Sequence, residues 1–336
     1  MAAPFSGPSL FGDEPEPVSQ AAAYRVLARK YRPTSFEDLI GQDGLVRTLR
    51  NAFAMNRIAH AFMLTGVRGV GKTTTARILA RALNCTGPDG TSGPTADPCG
   101  VCENCIAILA DRHPDVVEMD AASNTGVDDV REIIEATRFR PLSARIKVFI
   151  IDEVHMLSRN AFNALLKTLE EPPDRVIFVM ATTEPENLVD TIRSRSQHFH
   201  FRALTFAEIT ARLEEIASKE NLQIEPGALA VIARMAEGSM RDALSLLEQA
   251  RAYCGDTNPA KQVRELLGVV PEDALEELVN AIAAGSADRA LALVHSFQKE
   301  GRNLQHFCRE AIRHIRNILI ARVSGPDSDL DRKSVV

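Results

Sequence analysis

The chain has 336 residues, 45% of them hydrophobic and 25% charged, and carries a formal net charge of −6. Its length allows two or three domains, and its composition is that of a globular protein rather than a fibrous or disordered one. The charge excludes a globally basic nucleic-acid binder while leaving room for a local basic patch. No apolar run approaches the roughly 18 residues of a membrane span, and the start, with no basic region ahead of an apolar stretch, predicts no secretory signal.

Residues 1–22 hold four prolines and three acids with little that could pack, so a disordered lead-in is expected there. Order is expected from near Tyr24. Val26 to Pro33, with Phe36 to Gln42 behind it, reads equally as a surface-packed arm or as an arm beside a nucleotide base. Val46 to Ala54 reads as a helix. Ala61-Phe62-Met63-Leu64-Thr65 is then an apolar run of strand length, and Thr74 to Leu83 is a breaker-free helix. Between them stands Gly66-Val67-Arg68-Gly69-Val70-Gly71-Lys72-Thr73, the pattern G-x-x-x-x-G-K-[ST] of a phosphate-binding loop. Glycines let backbone N–H groups turn inward around a phosphate, and a helix N-terminus adds its positive dipole end. Lys72 is placed to reach the β- and γ-phosphates, and the Thr73 hydroxyl to ligate Mg²⁺.

Four of the six cysteines follow as Cys85, Cys99, Cys102 and Cys105, spaced Cys-x13-Cys-x2-Cys-x2-Cys across a stretch too rich in Gly, Pro, Thr and Asp to build a core. Four thiolates around a structural Zn²⁺ are the expected staple, with no coordination position left open for catalysis. His113 is expected to cap or pack beside them. Cys254 and Cys308, isolated in helical patterns, read as buried apolar residues.

Val116 to Ala121 is expected to be a second strand, with Ser123 to Gly126 turning into a helix from Val127 to Phe139. Lys147 to Asp152 is a third strand, and it ends in Asp152-Glu153. About 80 residues after a phosphate loop, that pair suits Mg²⁺ coordination by Asp152 and polarisation of the attacking water by Glu153. Phe162, Leu165, Leu166 and Leu169 share one helical face, and Pro172-Pro173 stops that helix. Val176 to Ala181 is another buried strand, followed by Thr182-Thr183. Thr191 to Gln197 reads as a polar turn carrying Arg193 and Arg195 without an acidic neighbour. His198 and His200, alternating with Phe199 and Phe201, read as one face of an edge strand rather than as metal ligands. From Thr205 onward the pattern is helical, and Arg241 falls in the first turn of a helix, where a cation opposes the dipole and suggests an anion opposite it.

A phosphate loop, an Asp-Glu strand, a Thr-ended strand, a Ser-Arg segment and a helical region with a first-turn Arg together resemble the AAA+ ATPases. The wording of Val26 to Pro33, the four-cysteine insertion, Ile151 to Pro173 and Glu237 to Ala250 resembles the clamp-loader family, the gamma/tau subunits of bacterial DNA polymerase III. The resemblance implies an α/β fold with a five-stranded parallel sheet and inserted zinc module, then a three-helix lid, then an all-α collar. It divides the chain into a tail at 1–22, a core at 23–203 with the zinc module at 85–105, a lid at 204–258 and a truncated collar at 259–336.

The resemblance also implies an ATP-driven hetero-pentamer that opens a ring-shaped sliding clamp and releases it onto primer–template DNA. Lys72 then matches the phosphate-loop lysine, Glu153 the catalytic acid and Thr183 the first sensor. Arg195 matches a finger acting on a neighbour's ATP, with Ser196 where the family carries Cys, and Arg241 matches the second sensor. Arg131, Ser158, Arg159 and Lys167 match positions facing DNA. ATP, Mg²⁺ and a structural Zn²⁺ are the implied cofactors. Polymerase and helicase are implied partners through regions beyond this chain, in the cytoplasm at the replication fork and without a membrane. The alternatives are a nucleotide kinase with a zinc lid, a non-hydrolysing scaffold subunit and a DNA-translocating AAA+ motor.

Overall fold

A computed structural model describes residues 25–255, 257–299, 301 and 304–324. The expected tail at 1–22, the start of order at Tyr24 and the polar end after Gly325 lie outside these residues. A short helix α1 (Leu27–Lys30) and α2 (Asp43–Ala54) precede the first strand, β1 (Ala61–Thr65). The chain continues through α3 (Lys72–Asn84), α4 (Glu103–Leu109), β2 (Val116–Asp120), α5 (Val127–Thr137), β3 (Lys147–Asp152), α6 (Arg159–Glu170), β4 (Val176–Thr182), α7 (Asp190–Arg195) and β5 (Gln197–His200). The five strands pair in parallel in the order β2-β3-β4-β1-β5. Every residue of β1 and β4, and all but the last of β3, is buried. This is why these strands read as unbroken apolar runs, since helices cover both faces of the sheet.

Alternation along the strands builds two cores. Phe62, Leu64, Val148, Ile150 and Val179 face α2 and α3, while Met63, Phe149, Ile151, Phe178 and Met180 face α5 and α6. Because β4 lies between β1 and β3, the carboxyl ends of all three open on the same edge, where α/β sheets hold their ligands. The phosphate loop follows β1, Asp152-Glu153 follows β3 and Thr182-Thr183 ends β4.

Beyond the sheet, α8 (Phe206–Lys219), α9 (Pro226–Met235) and α10 (Met240–Cys254) enclose a third core, joined by Val263 of α11 (Ala260–Leu266). A reciprocal cap starts α8: Thr205 Oγ1 accepts the Glu208 N–H at 3.3 Å, and the Glu208 carboxylate accepts the Thr205 N–H at 2.9 Å. The N-terminal arm packs on this unit. Leu27 is buried in its core, and the Glu220 carboxylate takes both the Lys30 ammonium and the Tyr31 hydroxyl at 2.5 Å. Burial and that carboxylate push the Tyr31 hydroxyl up to about 12. Helices α12 (Glu272–Ala283), α13 (Ala287–Lys299) and α14 (Leu304–Ser324) form a smaller fourth core in which the Phe297 and Phe307 rings meet at 4.6 Å.

Three expectations need correcting. The stretch before β5 is a helix, α7, rather than a turn, because Ile192 is fully buried and anchors it in the second core. Arg195 does have an acidic neighbour, Glu170, delivered by the end of α6. Cys254 is only partly buried, packing at the edge of the third core, and Cys308 is exposed.

Candidate functional site

The phosphate loop spans the gap between β1 and α3. Gly71, with φ of +106°, sits in the left-handed region and turns the chain into α3, so the N–H groups of the first turn face the loop. Gly69 has φ of +77°, and a side chain there would collide with Ser239 Oγ at the start of α10. The Arg241 N–H reaches the Gly69 carbonyl at 3.4 Å. The helical unit therefore closes directly on the loop, and Arg241, in the first turn of α10, lies at that seam. A second link ties the same region to α2: the Gln42 amide donates to the Arg202 carbonyl at 3.0 Å.

Lys72 is buried, and its ammonium donates to the Gly66 and Val67 carbonyls at 2.8 and 2.9 Å. Burial pushes its pKa down, against Glu153 and Asp152, which pull it up. Thr73 Oγ1 donates to Asp152 Oδ2 at 2.6 Å, so a hydroxyl and a carboxylate already converge on one point, as a hard divalent cation requires. Glu153 adopts φ of +46°, uncommon for a non-glycine residue. Its Oε2 accepts the Thr183 N–H at 3.2 Å and the Thr183 hydroxyl at 3.0 Å. Thr182 behind it is fully buried and pairs with His155 Nδ1 at 2.9 Å. His155 Nδ1 also lies 3.5 Å from Glu153 Oε2. Lys72, Thr73, Asp152, Glu153 and Thr183 thus form one cluster, with His155 beneath it.

Arg195 does not join this cluster. At the end of α7 its contacts are with Thr191 and Glu170. Of the expected DNA-facing residues, Arg131 and Lys167 line a groove of about 530 Å³ between α5 and α6, together with Arg138. Arg131 also pairs with Asp128 at 2.8 Å. Ser158 and Arg159 lie at the other end of α6, where Ser158 Oγ caps the helix by accepting the Ala161 N–H at 3.3 Å.

The sulfur atoms of Cys85, Cys99, Cys102 and Cys105 all lie within 4.8 Å of one another. Backbone N–H groups already point at them: Cys99 N and Gly87 N at Cys85 Sγ (3.3 and 3.4 Å), and Cys102 N at Cys99 Sγ (3.3 Å). Burial opposes ionisation of Cys102, but N–H groups of Thr86 and Cys105 outweigh it and lower its pKa. Converging thiols with N–H donors fit a tetrahedral soft-metal site.

A polar scaffold locks the module to the sheet. Asn104 of α4 donates to the Asn84 carbonyl at 2.8 Å and pairs with His113 Nε2 at 3.2 Å. Arg145 donates to the Leu83 and Ser92 carbonyls at 2.8 and 2.6 Å. Buried Asp115 accepts the N–H groups of Leu142, Ser143 and Ala144, each at 2.8 Å. His113 therefore packs rather than ligates, and burial holds its pKa below the ordinary value.

Three family models match in succession: "DNA polymerase III, delta subunit" over residues 41–205, "DNA polymerase III clamp loader subunit, ATPase lid domain" over 208–256, and "DNA polymerase III subunits gamma and tau domain III" over 259–334. DNA polymerase III subunit gamma of Buchnera aphidicola is 41% identical over 88% of this chain and 80% of its own length. The chain belongs to the gamma/tau family of DNA polymerase III subunits. The tau subunit of Escherichia coli is 45% identical to this gamma/tau chain over 90% of it, but over only 46% of its own length, so the chain spans about half of that relative. Among solved structures, the Thermotoga maritima RuvB Holliday junction branch migration motor matches with a TM-score of 0.52 at 22% identity, over 75% of this chain and 79% of its own. That likeness shows a shared fold. No helix among the described residues of the gamma/tau chain is long and apolar enough to cross a membrane.

Sequence reasoning assigned no role to His155, Glu170, Asn84, Asn104 or Arg145. His155 and Glu170 both lie within the stretch Ile151 to Pro173 that carried the resemblance, yet only the folded sheet brings His155 against β4 and Glu170 against α7.

Proposed function

We propose that the chain is the ATP-hydrolysing subunit of a clamp loader, binding nucleotide at seams between subunits to open a sliding clamp and release it on primer–template DNA. The observation that carries this reading is the split of the machinery. Lys72, Thr73, Asp152, Glu153 and Thr183 cluster at one strand edge, while the Arg195 guanidinium contacts none of them and meets Thr191 and Glu170 instead. A guanidinium absent from its own subunit's cluster is available to a neighbour's. Core at 23–203, lid at 204–258 and collar at 259–336 are the working divisions of this proposal.

In this reading the N–H groups of the loop from Gly66 to Gly71 cradle the phosphates of ATP and Lys72 leaves its two carbonyls for the β- and γ-phosphates. Thr73 and Asp152 hold Mg²⁺, which screens the phosphate charge when bound. Glu153, released from Thr183, accepts a proton from the attacking water. Arg241 senses the phosphates from the lid, and Arg195 of the adjacent subunit completes the site. DNA is gripped through its phosphates by Arg131, Lys167, Ser158 and Arg159, which confers position rather than sequence preference. The four thiolates hold a structural Zn²⁺. Other loader subunits, the clamp, and polymerase and helicase through further regions are the partners, in the cytoplasm at the fork.

The kinase alternative fails on distance. Cys85 caps the far end of α3, 13 residues from Lys72, which at 1.5 Å per residue puts the thiolates about 20 Å from the phosphates. A module that remote cannot close over the nucleotide. The direct test is Arg195→Ala in the assembled complex. An arginine finger contributes about 10³–10⁵ in rate, so DNA-stimulated hydrolysis should be nearly abolished while ATP binding persists. Hydrolysis at the parent rate would refute the assignment.

A further inference from the structure

In this chain the Arg195 guanidinium is already engaged. Its Nη1 donates to the Thr191 carbonyl at 2.9 Å, one turn back on its own helix, and its Nη2 stands 2.9 Å from Glu170 Oε1. The side chain is therefore folded down along α7 rather than extended, and both terminal nitrogens face acceptors of the same subunit. Glu170 ends α6, and α6 and α7 share the second core through Leu165, Leu169 and Ile192, so the carboxylate is delivered by packing rather than by chance sequence proximity. Both groups reach water: the Arg195 side chain is 33% exposed and that of Glu170 49%.

We propose that Glu170 is a positioning residue that parks Arg195 against its own subunit until the γ-phosphate of a neighbour's nucleotide displaces it. The proposal rests on the reading of Arg195 as a finger acting between subunits. A guanidinium folded back along α7 cannot at the same time extend across a seam, so the carboxylate and the phosphate compete for its position. A half-exposed ion pair is a weak latch: a triphosphate held in register by the neighbour's loop outcompetes it, and departure of the γ-phosphate lets it close again. The latch thereby makes engagement of the seam depend on the γ-phosphate in particular.

The test is Glu170→Gln in the complex assembled with the other loader subunits, followed by steady-state hydrolysis at saturating primed DNA. The amide keeps the shape and removes the charge. The ATP concentration for half-maximal turnover should fall about two- to fivefold, the range expected for loss of an exposed pair, with kcat unchanged and the melting temperature of the free chain unmoved. The double variant Glu170→Gln/Arg195→Ala should match Arg195→Ala alone. An unchanged KM, or a lowered kcat, overturns the latch. If Arg195→Ala itself turns over at the parent rate, the finger reading fails and takes the latch with it. If Arg195→Ala is inactive and Glu170→Gln has an unchanged KM, only the latch fails.

Discussion

Replacing Lys72 with Met removes the ammonium and keeps most of the stem. That ammonium makes two short bonds to loop carbonyls, which phosphate oxygens replace in the proposed complex. Hydrogen bonds to charged groups contribute about 1.5–3 kcal/mol each, so losing two weakens ATP by about 3–6 kcal/mol, or at least a hundredfold in Kd. At an ATP concentration of about 100 times the parent Kd, binding stabilises the parent by about 2.7 kcal/mol. For a unit of this size that is a rise of roughly 5–10 °C in Tm. The variant, with Kd raised a hundredfold, gains about 0.4 kcal/mol and hence about 1 °C. Without nucleotide it should melt no lower than the parent, because burial already penalises the charged form of Lys72. The assay is thermal unfolding with and without Mg-ATP. A parent-sized ATP shift in Lys72→Met would refute the placement of the phosphates.

Glu153→Gln should retain the full ATP-induced Tm shift and lose about 10²–10⁴ in hydrolysis; parent-rate turnover would remove Glu153 from the chemistry. Chelation should strip the four-cysteine module of a site worth on the order of 10 kcal/mol, measured as faster reaction of Cys85, Cys99, Cys102 and Cys105 with a thiol reagent; rates equal with and without chelator would contradict a bound metal. Asp115→Ala leaves three N–H groups without their charged acceptor and should cost about 3–5 kcal/mol, read as a lowered unfolding midpoint. Burial would raise the Asp115 carboxyl, but those N–H groups bring its pKa below the ordinary value. Its contribution is therefore complete above about pH 4, the unfolded carboxylate range, and is lost as pH falls through the lower folded value. In consequence Asp115→Ala should flatten the parent's acid-side loss of stability; identical acid limbs would speak against this role.

The buried strands and the phosphate loop were legible because their signals are local. β1, β3 and β4 announce themselves as apolar runs flanked by glycine or acid, and Gly71-Lys72 opens α3 at the position its spacing predicts. The four cysteines were legible because residues 86–98 are too polar to build a core and the spacing of the thiols suits one metal site. What escaped is non-local. Glu170 and Arg195 are 25 residues apart and meet only because α6 and α7 pack in the same core. α7 itself, six residues long and anchored by Ile192, is too short for periodicity to distinguish from a turn. Cys308 was misread because helical spacing does not say which face of a helix is covered, and this one is exposed. The arm from Val26 to Pro33 left two readings open. Leu27 in the third core and the bonds of Lys30 and Tyr31 to Glu220 bind it to the lid helices, a contact that no local pattern encodes.

The central claim is that one subunit holds the nucleotide and the next supplies the finger. A mixing experiment tests it most directly. Lys72→Ala and Arg195→Ala chains, each inactive when assembled alone with the other loader subunits, are combined in one reconstitution and DNA-stimulated ATP hydrolysis is measured. Seams that pair the Lys72-bearing face of one variant with the Arg195-bearing face of the other are complete, so the mixture should regain turnover well above either variant by itself. A mixture no more active than its two components would contradict a shared site.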